Sequence, residues 1–265
     1  MTTYREINVT HDGFVSIVEL ARPPLNFFNA VMIDELADAF ANLDERHDCR
    51  AIVLAAQGKA FCAGADFSGQ DADAGNGDFS DAGFRTTTAP LYQGAARLFA
   101  NRKPVVGTVQ GAAVGGGLGL ALVPDFRIAS PAARFSANFV KLGIHQGFGI
   151  SVTLPRLIGQ QAAHAMLLSG RRLNGEQAAA IGLVDLLVEA DQLRAQAVAL
   201  ALEIAENAPL AVMSVRATMR EGLAASVRRA TDHELNEQEW LRQTDDAAEG
   251  IAAVAERRPG RFTGT

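Results

Sequence analysis

The feature that most constrains the fold is a glycine-rich segment near the middle of the chain, GTVQGAAVGGGLGLALVPD, residues 107–125. Three consecutive glycines, Gly115 to Gly117, separate one apolar run from a second run that has the length of a two-turn helix. Glycine permits close backbone approach and dihedral angles that other residues avoid. We therefore predict a strand, a loop with exposed backbone and a short helix, with no acid, base or nucleophile directly beside the glycines.

Two roles are open for these glycines. Backbone N–H groups at the start of a helix can hold an anion or a developing oxyanion, whereas small residues also allow a helix to pack tightly on a strand. A phosphate-binding loop is not indicated, because no Gly-Lys-Ser/Thr follows, and the dinucleotide fingerprint fails because its third glycine would fall at Leu120. A second segment, GKAFCAGADFS at residues 58–68, also follows a predicted strand and ends in small residues. Two such loops could each present an N–H to one oxygen, which favours the oxyanion role.

Hydrophobic periodicity predicts an α/β core followed by a helical tail. FVSIVEL (14–20) and RAIVLAA (50–56) are typical of strands, and VMIDELADAFANLDER between them has apolar residues at helical spacing. Further along, APLYQGAARLFAN (89–101) is predicted to be a helix and GLVDLLV (182–188) the last strand. Asn174, with Gln177 three residues later, is a typical helix N-cap. Units of strand, loop and helix continue to about residue 190, so we predict an α/β core over residues 1–190 and a helical region over residues 191–265. The apolar faces of the tail must pack on the core, on a neighbouring subunit, or on both.

Composition excludes several classes of function. The chain has 265 residues, enough for a sizeable core, and its net charge of −6 disfavours nucleic-acid binding. The N-terminal sequence has no pattern typical of a signal peptide, and no apolar stretch predicts a membrane span. Cys49 and Cys62 form no disulfide framework, so we expect a cytoplasmic protein. The five histidines are scattered without metal-ligand spacing, and no metal site is expected.

Four sequence blocks carry a resemblance to a known family: GKAFCAGADF, KPVVGTVQGAAVGGGLGLALVPDFRIAS, ARFSANFVKLGIHQGFG and GRRLNGEQAAAIGLVDLLV. In this order they resemble the signature blocks of the crotonase superfamily, also called the enoyl-CoA hydratase/isomerase family. The resemblance covers nearly the whole chain. It implies a spiral of repeated ββα turns, a C-terminal helical trimerisation region and acyl-CoA thioester substrates. It further implies a homotrimer or a dimer of trimers, and no cofactor other than the CoA of the substrate.

The resemblance also implies where the site residues lie. The oxyanion hole of the family uses two backbone N–H groups, and these match Ala65 and Gly116. Such a donor is typically worth about 3–4 kcal/mol in the transition state, here of an enolate-like thioester anion. The substrate-binding positions implied in the same way are Leu25, Ala63, Asp66, Gly115, Gly119, Phe139 and Phe262, with Arg258 near the last of these. Phe139 suggests an apolar acyl pocket that suits a bulky or aromatic acyl group.

The carboxylates of the best-known family reactions are missing. The two hydratase glutamates match Gly119 and Phe139, and the aspartate of the dienoyl-CoA isomerase and dehalogenase branches matches Gly147. Because a positioned acid or base contributes roughly 10²- to 10⁴-fold in rate, ordinary hydration should be severely reduced. His145, two residues before Gly147, is the predicted replacement base, although a loop histidine bonded to backbone has the same sequence signature. Tyr92 and the acids of residues 68–84 could line the pocket mouth, although solvated loop residues are the more common role for such acids.

Two functions of different classes therefore stay open. One is an enzyme acting on a CoA thioester by hydration or isomerisation, or by hydrolysis or C–C cleavage that uses His145 or a water molecule. The other is a non-catalytic paralogue that binds acyl-CoA or serves as a structural subunit. A hydrolase unrelated to CoA is disfavoured, since no Gly-x-Ser-x-Gly motif occurs and Cys62 has no histidine partner in sequence.

Overall fold

The structure, a computed structural model, describes residues 3–64 and 84–265, except for the side chain of Thr87. Its strands are β1 (Ile7–Asp12), β2 (Val15–Leu20), β3 (Ala51–Ala56), β4 (Val105–Val109), β5 (Ala112–Val114), β6 (Phe126–Ala129), β7 (Arg134–Ser136), β8 (Arg172–Asn174) and β9 (Leu186–Leu187). Its helices are α1 (Ala30–Glu45), α2 (Phe84–Phe99), α3 (Gly116–Ala121), α4 (Ile150–Ile158), α5 (Gln160–Ser169), α6 (Gly175–Ala180), α7 (Leu193–Ala205), α8 (Pro209–Met219), α9 (Leu223–Leu241) and α10 (Asp245–Ala255). A 3₁₀ helix spans Asn138–Leu142.

The strands form two sheets, and the chain crosses between them repeatedly. The larger sheet has the order β1-β2-β3-β4-β6-β9, in which only the β1–β2 pair is antiparallel, and the smaller sheet has the order β5-β7-β8. From β4 of the larger sheet the chain enters β5 of the smaller one and passes through α3 to β6; from β6 it enters β7 in the same way. This succession of two strands and a helix confirms the predicted α/β fold built of ββα turns.

Several elements differ from the predicted ones for local reasons. Strand β1 was not predicted, because its residues are mostly polar and exposed and it pairs at the sheet edge with β2. The predicted strand over residues 182–188 shortens to two residues, Leu186–Leu187. Helix α2 starts at Phe84, earlier than the expected Ala89. By contrast, the predicted cap at Asn174 is present as a capping box with Gln177.

The C-terminal helices pack on the body of the same chain. One face of α7, formed by alanines and Leu193, covers valines and alanines of the larger sheet, and the buried residues of this layer are Val15, Ala51, Val53, Ala55, Val106, Ile128, Leu193, Ala197, Ala201 and Ala205. Helix α9 packs along α2, and α10 packs on the 3₁₀ helix. The division at residue 190 stays a prediction, since the tail and the core share these buried layers.

No single helix in residues 3–64 and 84–265 is long and apolar enough to cross a membrane. Helices α7 and α8 reach that length and hydropathy only together, and they are bent by 105° at their junction.

Candidate active site

A cavity of about 890 Å³ opens where α3 begins, between α2, the 3₁₀ helix and the C-terminal helices α9 and α10. Most of its wall is apolar, and the described residues that supply this part are Phe27, Phe28, Phe84, Leu91, Val114, Phe139, Leu142, Ile144, Phe148, Ile251, Val254 and Ala255. The predicted site residues Ala63, Gly115 and Gly116 also line it. The glycine-rich segment and the loop after β3 therefore meet at one cavity, as the sequence indicates.

Gly116 lines this cavity and has a backbone N–H without a described acceptor. It is the first residue of α3, and no described residue accepts a hydrogen bond from its N–H. Gly115 precedes it with φ of +57°, a left-handed conformation that favours glycine, and donates its own N–H to Ser136 O over 2.9 Å. Because α3 has only six residues, the individual N–H group rather than a long helix dipole is what this end can provide.

The other glycines of the segment serve packing. A side chain at Gly117 would begin 2.1 Å from the carbonyl oxygen of Cys62, so the absence of a side chain lets two backbone segments meet. A side chain at Gly116 would begin 2.4 Å from the ring of Phe28, which packs against Phe148 with ring centres 5.7 Å apart. Close packing, one of the two roles considered from the sequence, thus applies to Gly116 and Gly117, and the oxyanion role of Gly116 stays a prediction.

The positions that match the family carboxylates are filled by aromatic side chains of this protein. A Cβ at Gly119 would lie 2.7 Å from both Cβ and Cδ1 of Phe148. A Cβ at Gly147 would lie 1.8 Å from the hydroxyl oxygen of Tyr92. Phe139 itself lines the cavity, with its ring tip facing Gly115. No aspartate or glutamate is present among the described residues that line the cavity.

Phe148 reaches the Gly119 position through an unusual backbone conformation. Its φ is +63°, it is 1% exposed, and glycines flank it in the sequence. A left-handed conformation costs a bulky residue free energy, so surrounding packing must hold it in place. The signal that could have identified this residue is the aromatic side chain between two glycines.

Tyr92 is hydrogen-bonded to helix α9. Its hydroxyl donates to Oε1 of Gln238 over 2.9 Å, and Nε2 of Gln238 donates to the backbone carbonyl of His145 over 2.7 Å. Tyr92, Gln238 and Gly147 all line the cavity, so the hydroxyl stands at its wall. The sequence placed Tyr92 near the pocket, but no pattern pointed to Gln238.

A buried carboxylate, Glu234, lies behind this wall. Its oxygens accept hydrogen bonds from the N–H groups of Gly149 and Ser151, at 2.7 and 3.2 Å, and from the Ser151 hydroxyl. These bonds satisfy donors at the start of α4. Burial nevertheless raises the pKa of the Glu234 carboxyl above its usual range. Its contacts assign Glu234 to holding α4 and α9 together.

His145, the predicted base, is not among the described residues that line the cavity. Its Nδ1 is 2.8 Å from the carbonyl oxygen of Gln146, and its ring packs edge-on against His233 with centres 5.8 Å apart. The backbone carbonyl of His145, rather than the ring, is linked to the cavity wall through Gln238. Its assignment as a base stays a prediction.

The remaining predicted residues are spread over several places. Leu25 lies outside the described lining, and its carbonyl accepts from the N–H of Ala63 at 3.0 Å. Phe262 is 46% exposed and does not line the cavity, and Arg258 forms ion pairs with Glu249 and Glu256 of its own chain. Ala65, Asp66 and the predicted acids Asp71, Asp73, Asp78 and Asp81 lie outside the described residues.

The thiol of Cys62 is unsuited to nucleophilic attack. The residue is fully buried, and burial raises its pKa to about 12, so the thiol stays protonated near neutral pH. Within the described part of the chain, no cluster of three His, Cys, Asp or Glu side chains could hold a metal ion.

Two arginines that the sequence analysis did not single out line the cavity. They are Arg172, which is exposed, and Arg242, whose guanidinium carbon lies 4.3 Å from the ring centre of Phe84. Together with the absence of carboxylates from the described lining, they make the wall apolar with positive charge, which suits an anionic ligand that has an apolar part.

Two sheets joined by ββα turns, with glycines at the start of a short helix lining an apolar cavity, are the architecture of a crotonase-type protein. Comparison with known proteins agrees. The sequence model of the enoyl-CoA hydratase/isomerase family matches residues 10–265. The chain is 34% identical over 262 residues to a probable enoyl-CoA hydratase of Mycobacterium tuberculosis, covering 98% of this chain and 99% of that protein. It is also 34% identical over 263 residues to a probable enoyl-CoA hydratase of Rhizobium meliloti, covering 98% of each.

Solved structures give the same result. The crystal structure of an enoyl-CoA hydratase/isomerase from Pseudoalteromonas atlantica matches with a TM-score of 0.84 and 28% identity, over 98% of this chain and 100% of that one. An enoyl-CoA hydratase from Mycobacterium avium subsp. paratuberculosis matches with a TM-score of 0.80 and 26% identity, over the same shares. The chain belongs to the enoyl-CoA hydratase/isomerase family.

Proposed function

We propose that the cavity binds an acyl-CoA thioester, with the thioester oxygen held by the N–H groups of Gly116 and Ala65. The observation that carries this proposal is the N–H of Gly116, which has no acceptor among the described residues and belongs to a residue that lines an apolar cavity in a chain of this family. The contribution of Ala65 rests on the family resemblance, because that residue lies outside the described part. The positive charge of Arg172 and Arg242 suits the phosphates of CoA, and the apolar wall suits the acyl chain.

Two N–H donors on one oxygen stabilise an enolate-like thioester anion. The chain then needs an acid or base to complete a reaction, and no described residue supplies a carboxylate at the three family positions. We therefore propose that rapid hydration of short enoyl-CoA esters is not its reaction. The proton transfers of isomerisation, hydrolysis or C–C cleavage would then use His145 or a water molecule, and the proposal needs no cofactor beyond the CoA of the substrate.

The same missing carboxylates favour a second candidate, a paralogue that binds acyl-CoA without turnover. The experiment that separates the two is a titration with crotonyl-CoA and a panel of bulkier acyl-CoA esters, each followed by product analysis. Binding with product formed from any ester supports the enzyme, and binding with no product from the whole panel supports the paralogue. No binding of any ester would contradict the proposed function in both forms.

We also propose that the chain assembles as a trimer or a dimer of trimers, as the family resemblance implies. The supporting observation is the exposure of large apolar side chains on α8: Val215 and Met219, one turn apart on the same face, are 64% and 69% exposed, and Leu210 near the start of the helix is 76% exposed. Large exposed apolar patches commonly mark interaction surfaces. Light scattering is expected to give three or six times the 28.0 kDa of one chain. Val215→Asp should shift the mass toward smaller species, and a wild-type monomer would contradict the proposal.

A further inference from the structure

The hydrogen bonds around Tyr92 fix the direction in which its hydroxyl proton points. A backbone carbonyl can only accept a hydrogen bond, so the group of Gln238 that contacts His145 O at 2.7 Å must be its NH₂. The amide oxygen of Gln238 therefore faces Tyr92, at 2.9 Å from the hydroxyl oxygen. Because that oxygen can only accept, the Tyr92 proton is donated to Gln238. The opposite amide orientation would bring two oxygens together at the His145 carbonyl.

The lone pairs of the Tyr92 oxygen are consequently left for another partner. The oxygen lies 1.8 Å from the position that a Cβ of Gly147 would occupy, and Gly147 is a cavity-lining residue. A neutral phenol whose proton is already donated presents only an acceptor to its surroundings. Tyr92, a cavity-lining residue, thus carries a hydrogen-bond acceptor of fixed direction beside Gly147, the position at which the resemblance implies a carboxylate in related enzymes.

This hydroxyl is unsuited to act as a base. Burial raises the pKa of Tyr92 well above its usual range, and the nearby Glu234 carboxylate raises it further. A phenolate would also face the amide oxygen of Gln238, so like partial charges would meet. Tyr92 therefore stays neutral, and its hydroxyl can accept a hydrogen bond from a ligand but cannot remove a proton from it.

We propose that Tyr92, oriented by Gln238, forms a subsite that binds a hydroxyl group on the acyl chain of the thioester. The subsite rests on the proposed function, because it requires an acyl-CoA ester in the cavity. The surrounding described wall is largely apolar, so an O–H group elsewhere along the chain would meet few acceptors, whereas at Tyr92 it meets one with a fixed direction. A water molecule can also donate an O–H to Tyr92, so the test must distinguish bound water from a hydroxyl group of the acyl chain.

The test compares equilibrium affinities for hexanoyl-CoA and for its 3-, 4- and 5-hydroxy and 3-, 4- and 5-oxo derivatives, measured by calorimetric titration of the full chain. At least one hydroxy ester is expected to bind roughly three- to tenfold more tightly than hexanoyl-CoA, the gain from one neutral hydrogen bond. The matching oxo ester should show no gain, because a carbonyl has no proton to donate to Tyr92.

Variants test whether Tyr92 and Gln238 cause the preference for the hydroxy ester. Tyr92→Phe should remove the difference in affinity between the hydroxy ester and hexanoyl-CoA, with both esters measured on the same variant. Tyr4→Phe is the matched control, since Tyr4 is the only other tyrosine and its hydroxyl accepts from Asn42 at 3.2 Å, away from the described cavity lining. Gln238→Leu removes the acceptor of the Tyr92 proton, so the preference should move from the hydroxy ester toward the oxo ester. A merely structural role for Tyr92 would not reverse this preference.

Three results would overturn the subsite. Hexanoyl-CoA could bind as tightly as every hydroxy ester, which would assign the acceptor to water. The hydroxy preference could survive Tyr92→Phe, or the oxo ester could be preferred by the wild-type chain. Failure of every ester to bind would overturn the proposed function and the subsite together, and this outcome is distinguishable from the other three.

Discussion

Replacing Gly119 with glutamate, the residue found there in the hydratases, is expected to lower the free energy of unfolding by about 2–4 kcal/mol and to restore no hydration. The cause is the ring of Phe148, because a Cβ at Gly119 would begin 2.7 Å from two of its atoms. Phe148 is 1% exposed and cannot move aside without disturbing Phe28, against which it packs. The new carboxylate would also be buried, with no partner designed for it. Urea unfolding and crotonyl-CoA hydration measure the two effects.

Phe148→Gly provides the matched background for this experiment. Glycine accepts the left-handed backbone of Phe148, whose φ is +63°, and removes the ring that blocks Gly119. The double variant should therefore lose less stability than the sum of the two single variants, with a coupling of about 1–3 kcal/mol. Strict additivity, or a stable Gly119→Glu protein that hydrates crotonyl-CoA, would show that the position is not closed by Phe148.

Gly116→Pro is expected to lower turnover of the best acyl-CoA substrate by about 10²- to 10³-fold, the usual effect of removing one oxyanion donor. Proline lacks the N–H, yet it is compatible with the first position of a helix, which is where Gly116 lies. The helix itself should therefore persist, and circular dichroism with thermal unfolding checks that it does. The substrate is the ester that the wild-type chain converts fastest.

Gly116→Ala is the control for the steric effect of adding a Cβ at this position. Both variants add a Cβ at the position that lies 2.4 Å from the Phe28 ring, but alanine retains the N–H. The difference between the two variants therefore removes the effect of the Cβ and leaves the loss of the N–H together with the Cγ and Cδ of the proline ring. Equal turnover in the alanine and proline variants would remove Gly116 N–H from the mechanism. If no ester is converted at all, the non-catalytic candidate is the one supported.

The fold was predictable where local sequence and tertiary structure agree. The capping box of Asn174 and Gln177 and the buried strands β2 and β3 were predicted because each carries its own local signal. Strand β1 has no such signal: its side chains are mostly polar, and its pairing with β2 determines its conformation. The superfamily itself followed from four ordered blocks of residues rather than from periodicity.

The site was predictable only in part. The glycines at residues 115–117 and the empty carboxylate positions can be read along the chain, because each belongs to a continuous motif. The side chains that fill those positions cannot be identified from the sequence, since the Tyr92 hydroxyl reaches Gly147 from α2 and is oriented by Gln238 from α9. Side chains separated by 146 positions meet through helix packing, and no local pattern encodes that contact.

Hydration of crotonyl-CoA, followed as loss of the enoyl-thioester absorbance alongside a titration of the same ester, decides whether the empty carboxylate positions abolish the hydratase reaction. Butyryl-CoA is titrated as a reference, because this saturated ester has no double bond to hydrate and its titration therefore reports binding alone. We predict that both esters bind and that crotonyl-CoA is not rapidly hydrated, because the described cavity wall offers no carboxylate at the hydratase positions. Rapid hydration by the wild-type chain would contradict it and would require an acid or base from another residue.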